Sequence, residues 1–182
     1  MPRVIVPIAS GFEEIEAITI VDILRRAGIE VVMASLDDLH VKGAHGIEIT
    51  TDAFLSDSCA EAFDMIVLPG GLPGATNLAA DLHVQKILQN FDALHKPIAA
   101  ICAAPYALKT AGVLKNDYTC YPSFEIKINH RGYRNDVDVV TDENIITSKG
   151  PRTAMVFAIA LVEILLSKEA SIKLQKDLLF SV

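Results

Sequence analysis

Apolar residues along the chain follow two alternating patterns. Continuous apolar runs are typical of strands buried on both faces of a sheet, whereas apolar residues spaced three or four apart indicate helices. The runs that predict core strands lie at 4–9, 29–35, 64–68 and 97–102. The helical spacing lies at 15–27, 83–94, 105–114, 150–166 and 168–179.

The remaining segments have weaker patterns. Turn-forming residues between apolar ones predict a small hairpin at 41–51, and two short strands at 137–140 and 145–148 on either side of a turn. The sequence also predicts a strand at 118–121 and a short helix at 124–129.

Strands that alternate with helices predict a parallel sheet covered on both faces. The fold class that we predict is α/β, a flavodoxin-like doubly wound parallel sheet. The length of 182 residues suits one domain over 1–182, without a linker or an internal repeat.

Composition excludes several classes of function. The 16 Lys and Arg against 23 Asp and Glu give a net charge of −7, which argues against high-affinity binding to nucleic acid. The apolar run at 154–166 is too short to span a membrane and contains Glu163. Without a signal-peptide pattern at the first residues, we expect a cytoplasmic protein.

Cysteine and histidine usage gives little support for a disulfide framework or a metal site. Three cysteines are an odd number, and none has zinc-ligand spacing to another Cys or to a His. We therefore expect no metal and no cofactor, and chemistry that depends on a single thiol.

Ligands of an open parallel sheet bind at the carboxyl ends of its strands. Cys102 lies there, at a junction of strand and helix with no loop residues to spare and with the small residues Ala100 and Ala104 on either side. This is the pattern of a nucleophile elbow, and a helix N-terminus there is expected to lower the pKa of the thiol. The alternative is a small buried core residue.

Two other strand ends carry candidate residues. Gly70 and Gly71 end the neighbouring strand, and the backbone N–H groups of Gly71 and Ala103 are candidate oxyanion donors; the alternative is an ordinary glycine turn. Glu16 opens the first helix among apolar residues, where a carboxyl group tends to be protonated and can move a proton. Its alternative role is to stabilise the helix dipole.

Five segments at these positions resemble the ThiJ/PfpI superfamily, and within it the YajL-like branch of protein deglycases and glyoxalase III enzymes. They are spread in the family's order over nearly the whole chain, at 11–16, 21–28, 68–71, 99–105 and 147–151.

The resemblance implies a flavodoxin-like homodimer, related to the class I glutamine amidotransferases, with Cys102 as nucleophile and Glu16 as its protonated partner. It also implies Gly71 and Ala103 as oxyanion donors, and Arg26 near the dimer interface beside the partner's site. Small dicarbonyls or glycated proteins are the substrates that it implies. A protective role in oxidative stress and chaperone activity are attributed to the same branch, so an alternative function is a chaperone that senses redox state through oxidation of Cys102.

Three positions depart from the patterns of the superfamily. Ala103 stands where its proteases carry a His, so a Cys-His protease is not expected. Tyr121 stands where a human member of the branch has a His beside the pocket, and His45 near where that member has an Arg. Both are possible pocket residues, as is Gly70. Cys120, next to Tyr121, is a candidate second redox thiol, but for Cys120 and Cys59 alike we expect a partly buried structural residue, in the case of Cys120 on a strand.

Overall fold

A mostly parallel seven-stranded sheet runs through the protein in the computed structural model, which describes residues 1–58 and 62–180. In chain order, the strands in this part of the chain are β1 (Arg3–Ile8), β2 (Glu30–Ser35), β3 (His40–Lys42), β4 (Glu48–Thr50), β5 (Ala53–Phe54), β6 (Met65–Leu68), β7 (Ile98–Ile101), β8 (Val139–Asp142) and β9 (Ile145–Ser148). The helices are α1 (Glu14–Arg26), α2 (Gly74–Ala80), α3 (Leu82–Ala93), α4 (Pro105–Ala111), α5 (Phe124–Ile128), α6 (Ala154–Leu165) and α7 (Lys168–Asp177).

The strand order in the large sheet is β5-β2-β1-β6-β7-β9-β8. Every neighbouring pair is parallel except β8 with β9. The chain moves from β1 to β2 on one side and later to β6 on the other, so the connections diverge above β1. This is the switch point at which doubly wound sheets bind ligands, and the predicted α/β flavodoxin-like class is confirmed.

Helices cover the sheet because its central strands are apolar on both faces. All four residues of β6 and of β7 are buried. Helix α1 packs on α6, which in turn packs on α7, whereas α2 and α3 both pack on α4. Among the described residues, no helix is long and apolar enough to cross a bilayer.

The predicted hairpin is present as the antiparallel pair β3–β4, outside the large sheet. The hairpin is fixed to the loop before α1 by two backbone hydrogen bonds. Gly11 N–H donates to Lys42 O at 2.8 Å, and Ala44 N–H donates to Phe12 O at 2.8 Å. The hairpin turn thereby lies against the loop that precedes α1.

The strand predicted at 118–121 is wrong. Tyr118 forms a single bridge with Tyr133. Beyond it, the backbone N–H groups bond to single groups rather than to a neighbouring strand: Thr119 N–H donates to Thr147 Oγ1, and Tyr121 N–H to Cys102 O. The segment therefore crosses the carboxyl ends of the strands instead of extending the sheet.

Other differences concern boundaries and small elements. The helix predicted from 150 begins as a short 3₁₀ turn at Pro151–Thr153, and α6 follows it. The predictions omitted α2, whose sequence GATNLAA lacks large apolar residues at helical spacing, and the two-residue strand β5. Cys59 lies outside the described residues.

Candidate active site

A cavity of about 620 Å³ opens at the carboxyl ends of β6 and β7. Its described lining comes from six parts of the chain: the start of α1, the hairpin turn, the ends of β6 and β7, the segment at 121–124, and Pro151. Cys102 and Ala103 line it beside Gly71. The fold therefore brings together residues that lie far apart in sequence.

Cys102 occupies the sharp turn predicted between β7 and α4. Its φ is +65°, in the left-handed region that a non-glycine residue rarely adopts. Cys102 N–H donates to Ser148 O on β9 at 3.0 Å, and Ala104 N–H donates back to Ile101 O at 3.0 Å. These bonds hold the strained residue in place, with 9% of its surface exposed.

Glu16 lies in the first turn of α1 and is fully buried beside Cys102. Gly70 N–H donates to its Oε2 at 2.8 Å, whereas Oε1 has no hydrogen-bond partner among the described residues. Burial raises the pKa of the Glu16 carboxyl to about 7, although the Gly70 N–H and the Cys102 thiol both favour the charged form. Near neutral pH this group can accept or release a proton.

The pKa of Cys102 differs from the sequence prediction. Burial, together with the negative charge of Glu16, raises the pKa of the thiol above its ordinary value. Hydrogen bonds from the backbone N–H groups of Gly71 and Ala103 lower the pKa of the thiol, but by less than burial and Glu16 raise it. The prediction of a lowered pKa from the helix N-terminus is therefore wrong, because α4 has only seven residues and burial outweighs its effect.

Gly70 and Gly71 let two loops approach the thiol closely. A Cβ atom on Gly70 would lie 2.5 Å from Cys102 Cβ and 2.7 Å from Glu16 Oε2. Gly71 has a φ of +91°, and a side chain there would collide with the backbone nitrogen of Glu13. A larger residue at either position would displace the pair.

The hairpin turn places His45 against the start of α1. His45 Nδ1 lies 2.9 Å from Glu14 Oε2 and 3.4 Å from Glu13 Oε2. The hydrogen bond with Glu14 raises the pKa of His45, and the charge of Glu13 adds to this effect. Burial of Glu14 opposes ionisation, yet the bonds from His45 and backbone N–H groups hold the pKa of Glu14 below its ordinary value.

Ligand atoms of Glu13, Glu14 and His45 lie within 4.8 Å of one another, so these side chains are a group that could hold a cation. The spacing of histidines along the sequence did not indicate this cluster, because the hairpin brings His45 to α1 from a distant position. Glu14 Oε1 already accepts from the backbone N–H groups of His45 and Ile47 at 2.7 and 3.3 Å. The cluster therefore has a structural use without a metal.

The other predicted site residues lie in different surroundings. Tyr121 lines the cavity and is half-exposed, and its N–H donates to Cys102 O at 2.8 Å. Arg26 lies at the far end of α1, where Arg26 Nε pairs with Asp22 at 2.8 Å. Its predicted role concerns a partner subunit and stays a prediction. Cys120 is fully buried outside the cavity lining, and burial raises its pKa to about 12.

Comparison with known proteins finds relatives along nearly the whole chain. Protein DJ-1 homolog B of Arabidopsis thaliana is 39% identical over 97% of this chain, which spans only 41% of that relative. Protein dj-1beta of Drosophila melanogaster is 40% identical over 96% of this chain and 95% of its own length. The Caenorhabditis elegans protein named glutathione-independent glyoxalase DJR-1.2 is 38% identical, over 91% and 89% of the two chains.

Solved structures and a family model agree with these relatives. The crystal structure of Drosophila melanogaster DJ-1beta superposes with a TM-score of 0.96 at 38% identity, covering 100% of this chain and 99% of that one. The structure of oxidised Toxoplasma gondii DJ-1 gives a TM-score of 0.93 at 38% identity and covers both chains fully. The model of the DJ-1/PfpI family matches residues 2–164. The chain belongs to the DJ-1/PfpI family.

Proposed function

We propose that the protein is a cysteine-dependent, cofactor-free enzyme that acts on reactive dicarbonyls or on their early adducts with proteins. One observation carries this proposal: Cys102 lines the cavity and lies beside both a buried carboxyl group and two backbone N–H donors. The name of the nematode relative, a glutathione-independent glyoxalase, supports it.

The first step is attack of the Cys102 thiolate on the aldehyde carbon, which forms a hemithioacetal. With the pKa of Glu16 near 7, Cys102 and Glu16 share one proton above that pH. When the proton is on Glu16, sulfur is free to attack, and the carboxyl group can afterwards move a proton on the adduct.

The oxygen of the attacked carbonyl needs hydrogen-bond donors as it gains negative charge. The N–H groups of Gly71 and Ala103 already lie close enough to Cys102 to affect its thiol pKa. We propose that both donate to this oxygen. Ala103 leaves no histidine beside the nucleophile, so a Cys-His protease remains unsupported.

The cavity suits small uncharged carbonyl compounds. Most of its described lining is apolar, including Leu72 and Phe124, and none of the described lining residues is Arg or Lys. A substrate carboxylate would find no fixed positive partner there apart from a protonated His45. Dicarbonyls such as methylglyoxal, or their early adducts on exposed side chains, carry no such negative charge.

The test is conversion of methylglyoxal to lactate by the purified protein without glutathione. We expect turnover in the wild type, loss to background in Cys102→Ala, and retention in Cys120→Ala, because Cys120 lies outside the cavity lining. Wild-type turnover no higher than that of Cys102→Ala would overturn the proposal.

A second candidate function is a redox-sensing chaperone in which oxidation of Cys102 matters rather than turnover. The 9% exposure of Cys102 leaves a path for peroxide, and the Toxoplasma gondii relative was solved in an oxidised state. This function predicts that peroxide-treated wild type suppresses client aggregation and that Cys102→Ala does not. Equal protection by both proteins contradicts it.

We further propose that the chain acts as one domain in a cytoplasmic homodimer with a protective role in oxidative stress. The exposed face of α1 supports the dimer, because Ile15 and Ile18 are 57% and 44% exposed there. Asp22 and Arg26 continue the same face at helical spacing. Apolar side chains on a helix surface suit contact with a second copy.

A further inference from the structure

We propose that His45, held in place by Glu14, is an acid–base residue of this site and acts on the second oxygen of a dicarbonyl bound to Cys102. This inference rests on the proposed function. It assigns the proton transfers that Glu16 does not perform, and it gives the hairpin turn a role in the reaction.

The imidazole ring is anchored at one nitrogen only. Glu14 binds His45 twice, through the backbone N–H at 2.7 Å and through Nδ1 at 2.9 Å. The other ring nitrogen, Nε2, has no hydrogen bond to any residue that the structure describes. A carboxylate on Nδ1 fixes the tautomer and makes Nε2 the nitrogen that serves a bound molecule.

The cavity places His45 and Cys102 around the same space. Both residues line it, from the hairpin turn and from the end of β7 respectively. Ala44 N–H donates to Phe12 O at 2.8 Å, so the turn that carries His45 is tied to the loop before α1. The side chain of His45 remains 70% exposed and can therefore meet an incoming substrate.

A dicarbonyl requires two proton-handling groups, one for each carbon. After the hemithioacetal forms at C1, the Glu16 carboxylate takes the C1 proton, and the electron pair forms a C1–C2 double bond. The protonated His45 ring, with Nδ1–H on Glu14, donates its Nε2 proton to the C2 oxygen, which gives an enediol and a neutral His45. On this enediol the roles are exchanged: His45 takes a proton and Glu16 gives one.

In the second half, neutral His45 takes the proton from the C1 hydroxyl while Glu16 returns its proton to C2. The product is a thioester of a 2-hydroxy acid, and both side chains recover their starting protonation. Water then cleaves the thioester, so that one water is consumed, one 2-hydroxy acid is released and the thiol is restored. No oxidant or reductant takes part.

The decisive experiment measures lactate formation from methylglyoxal in His45→Ala. We expect kcat to fall roughly 100-fold with little change in KM, since general acid–base groups contribute about this much or more. Added imidazole is expected to restore part of the loss. The matched control is His40→Gln, on the same hairpin but outside the cavity lining, which is expected to keep wild-type turnover.

Two further measurements separate a chemical role from a structural one. The rate at which iodoacetamide alkylates Cys102 is expected to be unchanged in His45→Ala, because the imidazole acts on substrate oxygen and not on sulfur. Glu14→Gln is expected to lower kcat without a change in KM. Added imidazole is not expected to rescue this variant, because the side chain of His45 is still present in it.

Each outcome bears on one proposal. Wild-type protein without turnover contradicts the proposed function itself. Active wild type with unchanged kcat in His45→Ala contradicts the role of His45 alone. A His45→Ala variant that is slow, is not rescued by imidazole and has altered Cys102 alkylation also overturns the inference, because it indicates a structural effect on the site.

Discussion

Cys102 and Glu16 form a pair in which the protonation of each residue depends on the other. Glu16 is fully buried, and one of its oxygens has no hydrogen-bond partner in the described part of the chain, which favours its neutral form. Its negative charge, once formed, raises the pKa of Cys102. The pair thus loses its first proton near pH 7, where the Glu16 carboxyl has its pKa, and it holds the second proton much more tightly.

This coupling predicts the pH dependence of thiol reactivity. Below pH 7 both groups are protonated and sulfur is unreactive; above it, one shared proton leaves part of the population as thiolate. We expect the rate of Cys102 alkylation by iodoacetamide to rise with pH in a first step centred near 7. Stopped-flow alkylation of wild type, followed across pH 5 to 9, measures it.

Glu16→Gln is the matched control for that step. Glutamine keeps the size of the side chain and an oxygen that can accept from Gly70 N–H, but it cannot ionise. We expect the step near pH 7 to vanish and a single rise at higher pH to remain. If the step near pH 7 persists in Glu16→Gln, the group that titrates there is not Glu16.

The sequence predicted which residue types meet at the site and that the Glu16 carboxyl tends to be protonated, but it gave the wrong direction for the pKa of Cys102. The small residues around Cys102 and the apolar neighbours of Glu16 indicated both candidates. The direction of the thiol pKa depends on how deeply the sulfur is buried and on how close a carboxylate lies, and neither is visible in a linear sequence. The anchoring of His45 by Glu14 was missed for the same reason.

At the scale of elements, the Cys102–Glu16 pair is positioned by the ends of β6 and β7 and the start of α1, with Gly70 between the two side chains. Glu13 N–H donates to Gly70 O at 2.9 Å, so the loop before α1 and the loop after β6 are joined directly. The position of Gly70 between Glu16 and Cys102 leaves no room for a methyl group.

Gly70→Ala is therefore expected to disable the site and to destabilise the fold. The added Cβ would lie 2.5 Å from Cys102 Cβ and 3.0 Å from Ile101 O, so backbone must move. We expect lactate formation to fall at least 10-fold and stability to fall by about 1–3 kcal/mol, the usual cost of overpacking. Turnover assays and urea unfolding measure the two effects.

Gly28→Ala provides the comparison for Gly70→Ala. Gly28 has a φ of +80° but nothing within 4 Å of an added Cβ. Its substitution is expected to cost about 1 kcal/mol in backbone strain and to leave turnover intact. If Gly70→Ala also keeps its turnover and loses only about 1 kcal/mol of stability, the close contacts around Gly70 are not required for the site.

Elements with a strong apolar pattern were predicted well, and those whose structure depends on distant partners were not. The four core strands and α1 follow from their own sequences. Helix α2 is short and made of small or polar residues, and it forms against α4. The 118–121 segment is apolar enough for a strand, yet beyond Tyr118 its backbone N–H groups donate to Thr147 Oγ1 and to Cys102 O.

At the scale of the whole molecule, the cavity and the exposed face of α1 are neighbours. Ile15 belongs to both, because it lines the cavity and is 57% exposed. A second copy bound to this face would therefore close over one side of the active site. This arrangement would link assembly to catalysis.

We expect the wild type to sediment at twice the 19.7 kDa mass of one chain, and Ile18→Glu to sediment as a monomer. A buried unpaired carboxylate in an apolar interface is costly, which is the reason for the expected dissociation. Analytical ultracentrifugation measures both masses. Ile126→Glu, at a 77% exposed position on α5, is the control and is expected to remain a dimer. A monomeric wild type, or a dimeric Ile18→Glu, contradicts the proposed interface.

The two edges of the large sheet have a consequence for behaviour at high concentration. One edge strand, β5, is two residues long, and the other, β8, runs antiparallel over four residues and ends at Asp142. Short and charged edges offer little backbone for pairing with another chain. In a crowded solution, the folded protein is therefore protected from strand-mediated aggregation, and self-association is directed to side-chain surfaces such as α1.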